Sequence, residues 1–300
     1  CWRPEPATWA DQAAGFVCLG GACPARSALG CNDVVMADIA ARAQQLLHLH
    51  HTGTTLVLPT VWDAWSARTV VAAGFPALTV GSHPLADSRG QADNEDMTLD
   101  DALDGIRRVT GAVDVPVSAD VESGYDTAPS ELVERVLEAG AVGINVEDSV
   151  HSERRMRSAE EHADYIGALR AASDEAGVTL VINARTDAFL GKYEQFDDPL
   201  SEAIRRLRMC EAAGARCLYP VKAPDADAVT TLLAELAAPI NVIAHPVNGS
   251  AAGSLADVDG PDTLQAALDR FGPAAELLLS VVRGADRVEV VVTFEAPPPA

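Results

Sequence analysis

The sequence predicts an α/β fold, a (β/α)8 barrel of the TIM type with an atypical C-terminal end, on three observations. Short apolar runs at 56–59, 77–81, 115–119, 142–146, 180–183, 217–221 and 241–244 alternate with helix-like stretches at 64–73, 99–109, 131–139, 159–176, 200–213 and 225–236. Strict alternation of this kind means parallel strands joined by crossover helices. Ala-Gly dipeptides at 73–74, 139–140 and 213–214 precede three of the runs, where glycine ends a helix in the left-handed conformation at little steric cost. No G-x-G-x-x-G follows the first run, so a closed barrel is favoured over an open dinucleotide-binding sheet.

Composition narrows the functional classes. A hydrophobic content of 48% in 300 residues supports a large core. The net charge of −22 excludes a nucleic-acid partner, which would need Lys and Arg to neutralise phosphates, and disfavours an anionic membrane surface. No uncharged apolar run approaches the length of a transmembrane helix. Four of the six cysteines fall at positions 1, 18, 23 and 31 and the others at 210 and 217. Their spacing matches no zinc pattern and no disulfide framework, so a cytoplasmic location is expected.

Residues 1–35 lack periodicity and read as an N-terminal extension, with the domain spanning 36–300. From Met36 the sequence ADIAARAQQLLHLHH places Ile39, Ala43, Leu46 and Leu47 on one helical face, and His48, His50 and His51 read as surface residues at its end. The first run leads to Trp62 and Asp63, the second to Gly81 and Ser82. The third ends in Asp120 and Glu122, and the fourth, one βα unit later, in Glu147 and Asp148. Strands covered on both faces have no packing use for acids at their tips, so a divalent cation is expected there. Carboxylates without convergent His or Cys suit Mg2+ rather than zinc.

The fifth run ends in Arg185 and Asp187, the sixth is followed by Lys222, and the seventh by His245 and Asn248. In a barrel of this type the chemistry sits at the C-terminal ends of the strands. The candidates are therefore Asp120, Glu122 and Glu147 for the metal, Arg185 and Glu147 for catalysis, and Gly81, Ser82, Arg185 and His245 for a small anionic carboxylate substrate. Arg185 would clamp that anion through two parallel bonds. Beyond residue 250 the alternation frays: 261–270 and 274–283 read as helices, 287–294 as an eighth strand, and no eighth helix follows.

The motifs SADVESGY (118–125), GINVEDS (143–149) and INARTDAF (182–189), with LVLPTVWDAWSAR (56–68) and AGFPALTVGS (73–82), carry a resemblance. Over about residues 37–250 the chain resembles the isocitrate lyase/phosphoenolpyruvate mutase superfamily, nearest its small stand-alone PEP mutase and methylisocitrate lyase-like members. The resemblance implies a Mg2+ barrel acting on a 2-oxo or enolpyruvate-type acid through an enolate. Its metal-site acids fall on Asp93, Asp120, Glu122 and Glu147, with Asp120 the direct ligand. The family's substrate cradle falls on Gly81 and Ser82, with Asp93 also expected at the substrate, and its motif arginine on Arg185. The expected activity is cleavage of a C–C bond. The alternatives are a phosphonate mutase or hydrolase on the same site, and a degenerate barrel that binds a metabolite without turning it over.

The chain departs from that pattern in two places. The superfamily's lyases carry a K-K-C-G-H loop after the fourth strand, and here residues 148–158 read DSVHSERRMRS, with no cysteine. Thr60 stands where close relatives usually have Asn. His151, Arg154 and Arg155 in that loop read as solvated surface residues. The superfamily often exchanges its last helix between subunits, so a homodimer or homotetramer is expected.

Overall fold

The computed structural model describes residues 31–53, 55–242, 276–283 and 286–293. In chain order the elements are α1 (Cys31–His50), β1 (Thr60–Val61), α2 (Ala64–Ala72), β2 (Leu78–Val80), α3 (Ser82–Ser88), α4 (Leu99–Thr110), β3 (Val117–Asp120), α5 (Pro129–Glu138) and β4 (Gly143–Glu147). There follow β5 (Ser149–Val150), β6 (Arg155–Met156), α6 (Ala159–Glu175), β7 (Val181–Thr186), α7 (Pro199–Ala212), β8 (Cys217–Pro220), α8 (Ala226–Glu235), β9 (Glu276–Arg283) and β10 (Asp286–Thr293).

Strands β1, β2, β3, β4, β7 and β8 pair in that order, every pair parallel. A parallel bridge from Leu218 to Ile240 extends the sheet to the seventh apolar run. The architecture is α/β of the TIM-barrel type, as the alternation of runs requires.

Local chemistry explains where the helices begin and end. The side chains of Asp63, Thr98, Ser158, Asp198 and Asp225 each accept a backbone N–H in the first turn of the helix that follows. Ser158 and Glu161 form a reciprocal capping box, which satisfies two donors that the helix itself leaves unpaired. After α2, α5 and α7 the Ala-Gly glycines take φ of +94°, +83° and +109°, respectively.

Inner faces of the helices bury Leu103, Ile106, Leu132, Val136, Ile166, Leu169 and Leu207 against Leu78, Ile144, Ile182 and Leu218 of the strands. Helix α1 lies across the N-terminal ends of the strands. Leu46 fills the space where a Cβ on Gly143, the first residue of β4, would come within 2.8 Å of its Cδ2. Gln44 donates to the hydroxyl of Thr179, just before β7. None of the helices among the described residues is long and apolar enough to cross a membrane.

The C-terminal expectations need correction. Residues 276–283, read as part of a helix, form strand β9, and β10 pairs antiparallel with β9 rather than joining the parallel sheet as an eighth strand. An apolar run such as ELLLSVVR satisfies both periodicities. A second run two residues beyond, RVEVVVT, gives it an antiparallel partner, with Arg283 opposite Asp286. The expected extension falls largely in 1–30 and, like the helix at 261–270, His245 and Asn248, lies outside the described residues. Helix α1 starts at Cys31, five residues ahead of the expected Met36.

His162 on α6 is fully buried, and burial, with the charges of Arg157 and Arg206, lowers its pKa from 6.5 to about 3. The unfolded chain takes up a proton at this residue below pH 6.5 and the folded chain does not. Stability is therefore untouched above pH 6.5 and falls as the pH drops from 6.5 towards 3, by up to about 1.4 kcal/mol per pH unit from this group. Denaturant unfolding from pH 7 to 4 should show a shallower decline in His162→Gln than in the unsubstituted chain. Parallel curves would remove His162 as a source of acid sensitivity.

Candidate active site

Strand register builds the site. Asp120 of β3 lies opposite Asn145 of β4, Asn145 opposite Asn183 of β7, and Asn183 opposite Cys217 of β8. Two residues further on, Glu147, Arg185 and Tyr219 form a second row. Residues two apart in a strand share a face, so the rows stack, with the second nearer the C-terminal mouth. Contacts run along each row. The Asn183 amide donates to Asn145 Oδ1 at 3.2 Å, Arg185 Nη1 reaches Glu147 Oε2 at 2.6 Å, and the Arg185 guanidinium lies 5.9 Å from the Tyr219 ring centre.

Glu122 sits past the end of β3 in a turn whose backbone is unusual: φ is positive at Glu122 (+48°), Gly124 (+105°), Tyr125 (+52°) and Asp126 (+50°). At Gly124 only glycine fits, since a Cβ would lie 2.2 Å from the Tyr165 hydroxyl. The turn swings Glu122 back over the mouth, where its carboxylate accepts the Tyr125 hydroxyl at 2.9 Å and the Glu95 N–H at 2.6 Å. Asp120 accepts the Glu122 N–H at 3.0 Å and the Ser82 hydroxyl at 3.2 Å.

Glu147 meets Arg185 with one oxygen and His151 Nε2 with the other, at 2.5 Å. The same His151 nitrogen is 4.0 Å from Glu122 Oε2, and its Nδ1 is 3.0 Å from the Tyr193 hydroxyl. Two buried carboxylates thus share one imidazole.

The electrostatics are those of a site with surplus negative charge. Burial raises the pKa of Asp120. Burial, and then the charge of Asp93, pushes Glu122 up to about 8. Burial pushes Glu147 up to about 7 against the opposing pull of His151 and Arg185. Asp93 Oδ1 is buried without a hydrogen-bond partner, while Oδ2 lies 3.6 Å from His83. An all-oxygen donor set with one orphaned buried oxygen fits Mg2+. Among the described residues no three His, Cys, Asp or Glu side chains are spaced to enclose an ion. Hydrogen bonds turn Glu122 towards Glu95 and Tyr125, and Glu147 towards Arg185 and His151.

Several expectations change. The two-bond clamp at Arg185 is not open, because Nε is 2.7 Å from Asp187 Oδ1 and Nη1 is held by Glu147. Only Nη2 donates to no described residue. Asp148, a tip acid in the sequence, is fully buried and faces away from the mouth, accepting from Thr186 Oγ1 at 2.7 Å, Asp187 N–H at 2.9 Å and Arg206 Nη1 at 3.2 Å. His151 is not a solvated loop residue, its side chain being 7% exposed. Its loop folds into the β5–β6 hairpin, which carries the imidazole back over the mouth. Arg154, Arg155 and Lys222 are exposed, as surface residues are.

The second-strand cradle is tight. A Cβ on Gly81 would lie 2.6 Å from the Thr60 methyl and 3.0 Å from Pro84, and Ser82 is buried. Tyr219, Tyr125, Glu95 and Asp187 complete the mouth. Tyr219 was hidden in an apolar run, and Glu95 in an acidic loop with no periodicity.

Comparison with known proteins points to one family. The family model described as phosphoenolpyruvate phosphomutase matches residues 46–275. The chain is 34% identical over 160 residues to 2-methylisocitrate lyase of Escherichia coli strain K12, an alignment covering 49% of this chain and 51% of that enzyme. Among solved structures, a candidate phosphonomutase from Burkholderia cenocepacia J2315 aligns at a TM-score of 0.62 with 37% identity, over 67% of this chain and 83% of that one. Oxaloacetate acetylhydrolase in complex with its product oxalate aligns at 0.62 with 28% identity, over 68% and 71%. The match to the family model over most of the chain, on the strands whose tips bear these acids and this arginine, shows that the chain belongs to the phosphoenolpyruvate phosphomutase family, within the isocitrate lyase/PEP mutase superfamily.

Proposed function

We propose that this chain is a Mg2+-dependent lyase that cleaves a C–C bond in a small 2-oxo or hydroxy di- or tricarboxylic acid through an enolate. The observation that carries the reading is Arg185, whose Nη2 donates to no described residue, at a mouth ringed by the half-buried Asp120 and the buried Glu122 and Glu147. Asp93, Asp120, Glu122 and Glu147 would hold the ion, which when bound stabilises negative charge developing on a substrate oxygen.

The chain's own groups do the rest. Arg185 Nη2 donates to a substrate carboxylate, and the engagement of its other nitrogens fixes the direction of that donation. Gly81 and Ser82 border the same space. Cleavage of a hydroxy acid turns its C–OH into a carbonyl, giving up the hydroxyl proton, and leaves an electron pair on carbon that takes up one proton. His151, hydrogen-bonded to Glu147 and Tyr193, would accept the first at Nε2 and return it to carbon.

A second reading, a mutase or hydrolase of a P–C bond, has one observation in its favour. The hairpin loop offers no thiol, and Cys210 and Cys217 are buried, with burial pushing both thiols up to about 12. The deciding experiment is product analysis with a panel of 2-oxo acids, alkylmalates, isocitrates and phosphonopyruvate, with Mg2+ and with EDTA. Mg2+-dependent release of pyruvate, glyoxylate or oxalate is the expected result. Rearrangement or release of phosphorus from phosphonopyruvate selects the second reading. Tight binding of oxalate without turnover of any member would leave a metabolite-binding barrel.

A further inference from the structure

Arg157, on the return arm of the hairpin after β6, plays no part in the chemistry above, and its guanidinium has an unusual set of partners. Nη1 donates to the backbone carbonyl of Glu147 at 3.2 Å and Nη2 to that of Ser123 at 2.9 Å. Its plane lies 4.3 Å from the ring centre of Tyr165, whose hydroxyl donates to the carbonyl of Thr127 at 3.2 Å. Among the described residues it forms no ion pair with a carboxylate. A half-buried guanidinium that spends its donors on two backbone carbonyls sets geometry.

Those two carbonyls are well chosen. One belongs to Glu147 itself and the other to the residue after Glu122. The turn that carries Glu122 is costly, because each non-glycine residue held at positive φ costs on the order of 1 kcal/mol or more and persists only where its surroundings impose it. Arg157 and Tyr165 supply that restraint from outside the turn, Arg157 by its bond to Ser123 and Tyr165 by its packing against Gly124. The backbone bond from Glu147 N–H to the Glu122 carbonyl, 2.9 Å, joins the same two segments on the barrel side.

We propose that Arg157 is a positioning residue that fixes the separation of the Glu122 and Glu147 carboxylates, and through it the joint affinity of the mouth for a divalent cation and a small dicarboxylate. The first half of this statement is independent of the lyase reading and the second half rests on it. A planar fork can bridge two carbonyls and stack on a ring at the same time, and an ammonium cannot.

The test uses the full chain with Arg157→Lys and Arg157→Met. Hydrogen–deuterium exchange of peptides covering 121–127 and 147–151 should accelerate by about tenfold in both variants, with α5 unchanged, as expected for the loss of a local restraint. Mn2+ affinity in the presence of oxalate, read by the Mn2+ resonance signal, should weaken by about 10- to 100-fold, the scale for outer partners of metal ligands. Should the methionine variant fail to fold, the lysine variant decides. Unchanged exchange in these peptides overturns the proposal. Faster exchange with unchanged Mn2+–oxalate affinity also overturns it, since that leaves a purely structural contact. If the unsubstituted chain binds neither Mn2+ nor oxalate, the lyase reading and the ligand half of this proposal fall together, and exchange alone still decides whether Arg157 holds the turn.

Discussion

Replacing Arg206 with methionine is expected to destabilise the fold by about 3–5 kcal/mol, the cost of breaking a buried charge pair from one side. Arg206 is 2% exposed, with Nη1 3.2 Å from Asp148 and 2.6 Å from the Arg157 carbonyl, and Nε 2.7 Å from Glu202. Without it Asp148 stays buried with two neutral donors and no cation. Burial, with the charge of Asp187, already pushes the Asp148 pKa up to about 7 from 3.8. A carboxyl with a raised folded pKa is tolerated while protonated and becomes costly as the pH rises through that value. The loss should therefore be larger at pH 8 than at pH 5, as measured by denaturant unfolding. Adding Asp148→Asn should recover part of it at pH 8, because the stranded charge is then gone. A loss under 1 kcal/mol at both pH values would show that the pair is dispensable.

Arg185→Lys should lower kcat/KM by about 30- to several-thousand-fold on whichever panel substrate is turned over, the scale for breaking a hydrogen-bonded charge pair in a desolvated site, because lysine keeps the charge and loses the fork. The guanidinium holds Asp187 with Nε and Glu147 with Nη1 while presenting Nη2 to the mouth. Lysine has one nitrogen for three tasks. Near-normal kcat and KM in this variant would remove Arg185 from substrate binding and leave it the task of holding Glu147 and Asp187 in place.

The acids and the arginine were legible in the sequence because they interrupt apolar runs, and interior strand positions carry charge only for a reason. Glu147 and Arg185 even fall in register, since each closes the polar tip of its strand. His151 was not legible. The strands of the hairpin that carries it are two residues long, too short for any periodic signal, and only the paired register of Ser149 with Met156 shows that the loop folds back. Helix α3 was missed for a similar reason, being seven residues with a proline inside. Asp148 was misread because a tip acid and an anchor acid look alike until Arg206, 58 positions later, is seen beside it. At the C-terminal end, helix and strand periods both fit 276–283, and the pairing partner decided between them.

Helix α1 has a consequence for how the chain reaches this state during synthesis. Its Gln44 bonds to Thr179, 135 positions later, and its Leu46 packs against Gly143 at the start of β4. At translation rates of about 5–20 residues per second, the helix leaves the ribosome roughly 7–27 s before the strand it docks on. Among the described residues the earliest helix thus waits for a strand made much later before this contact can form.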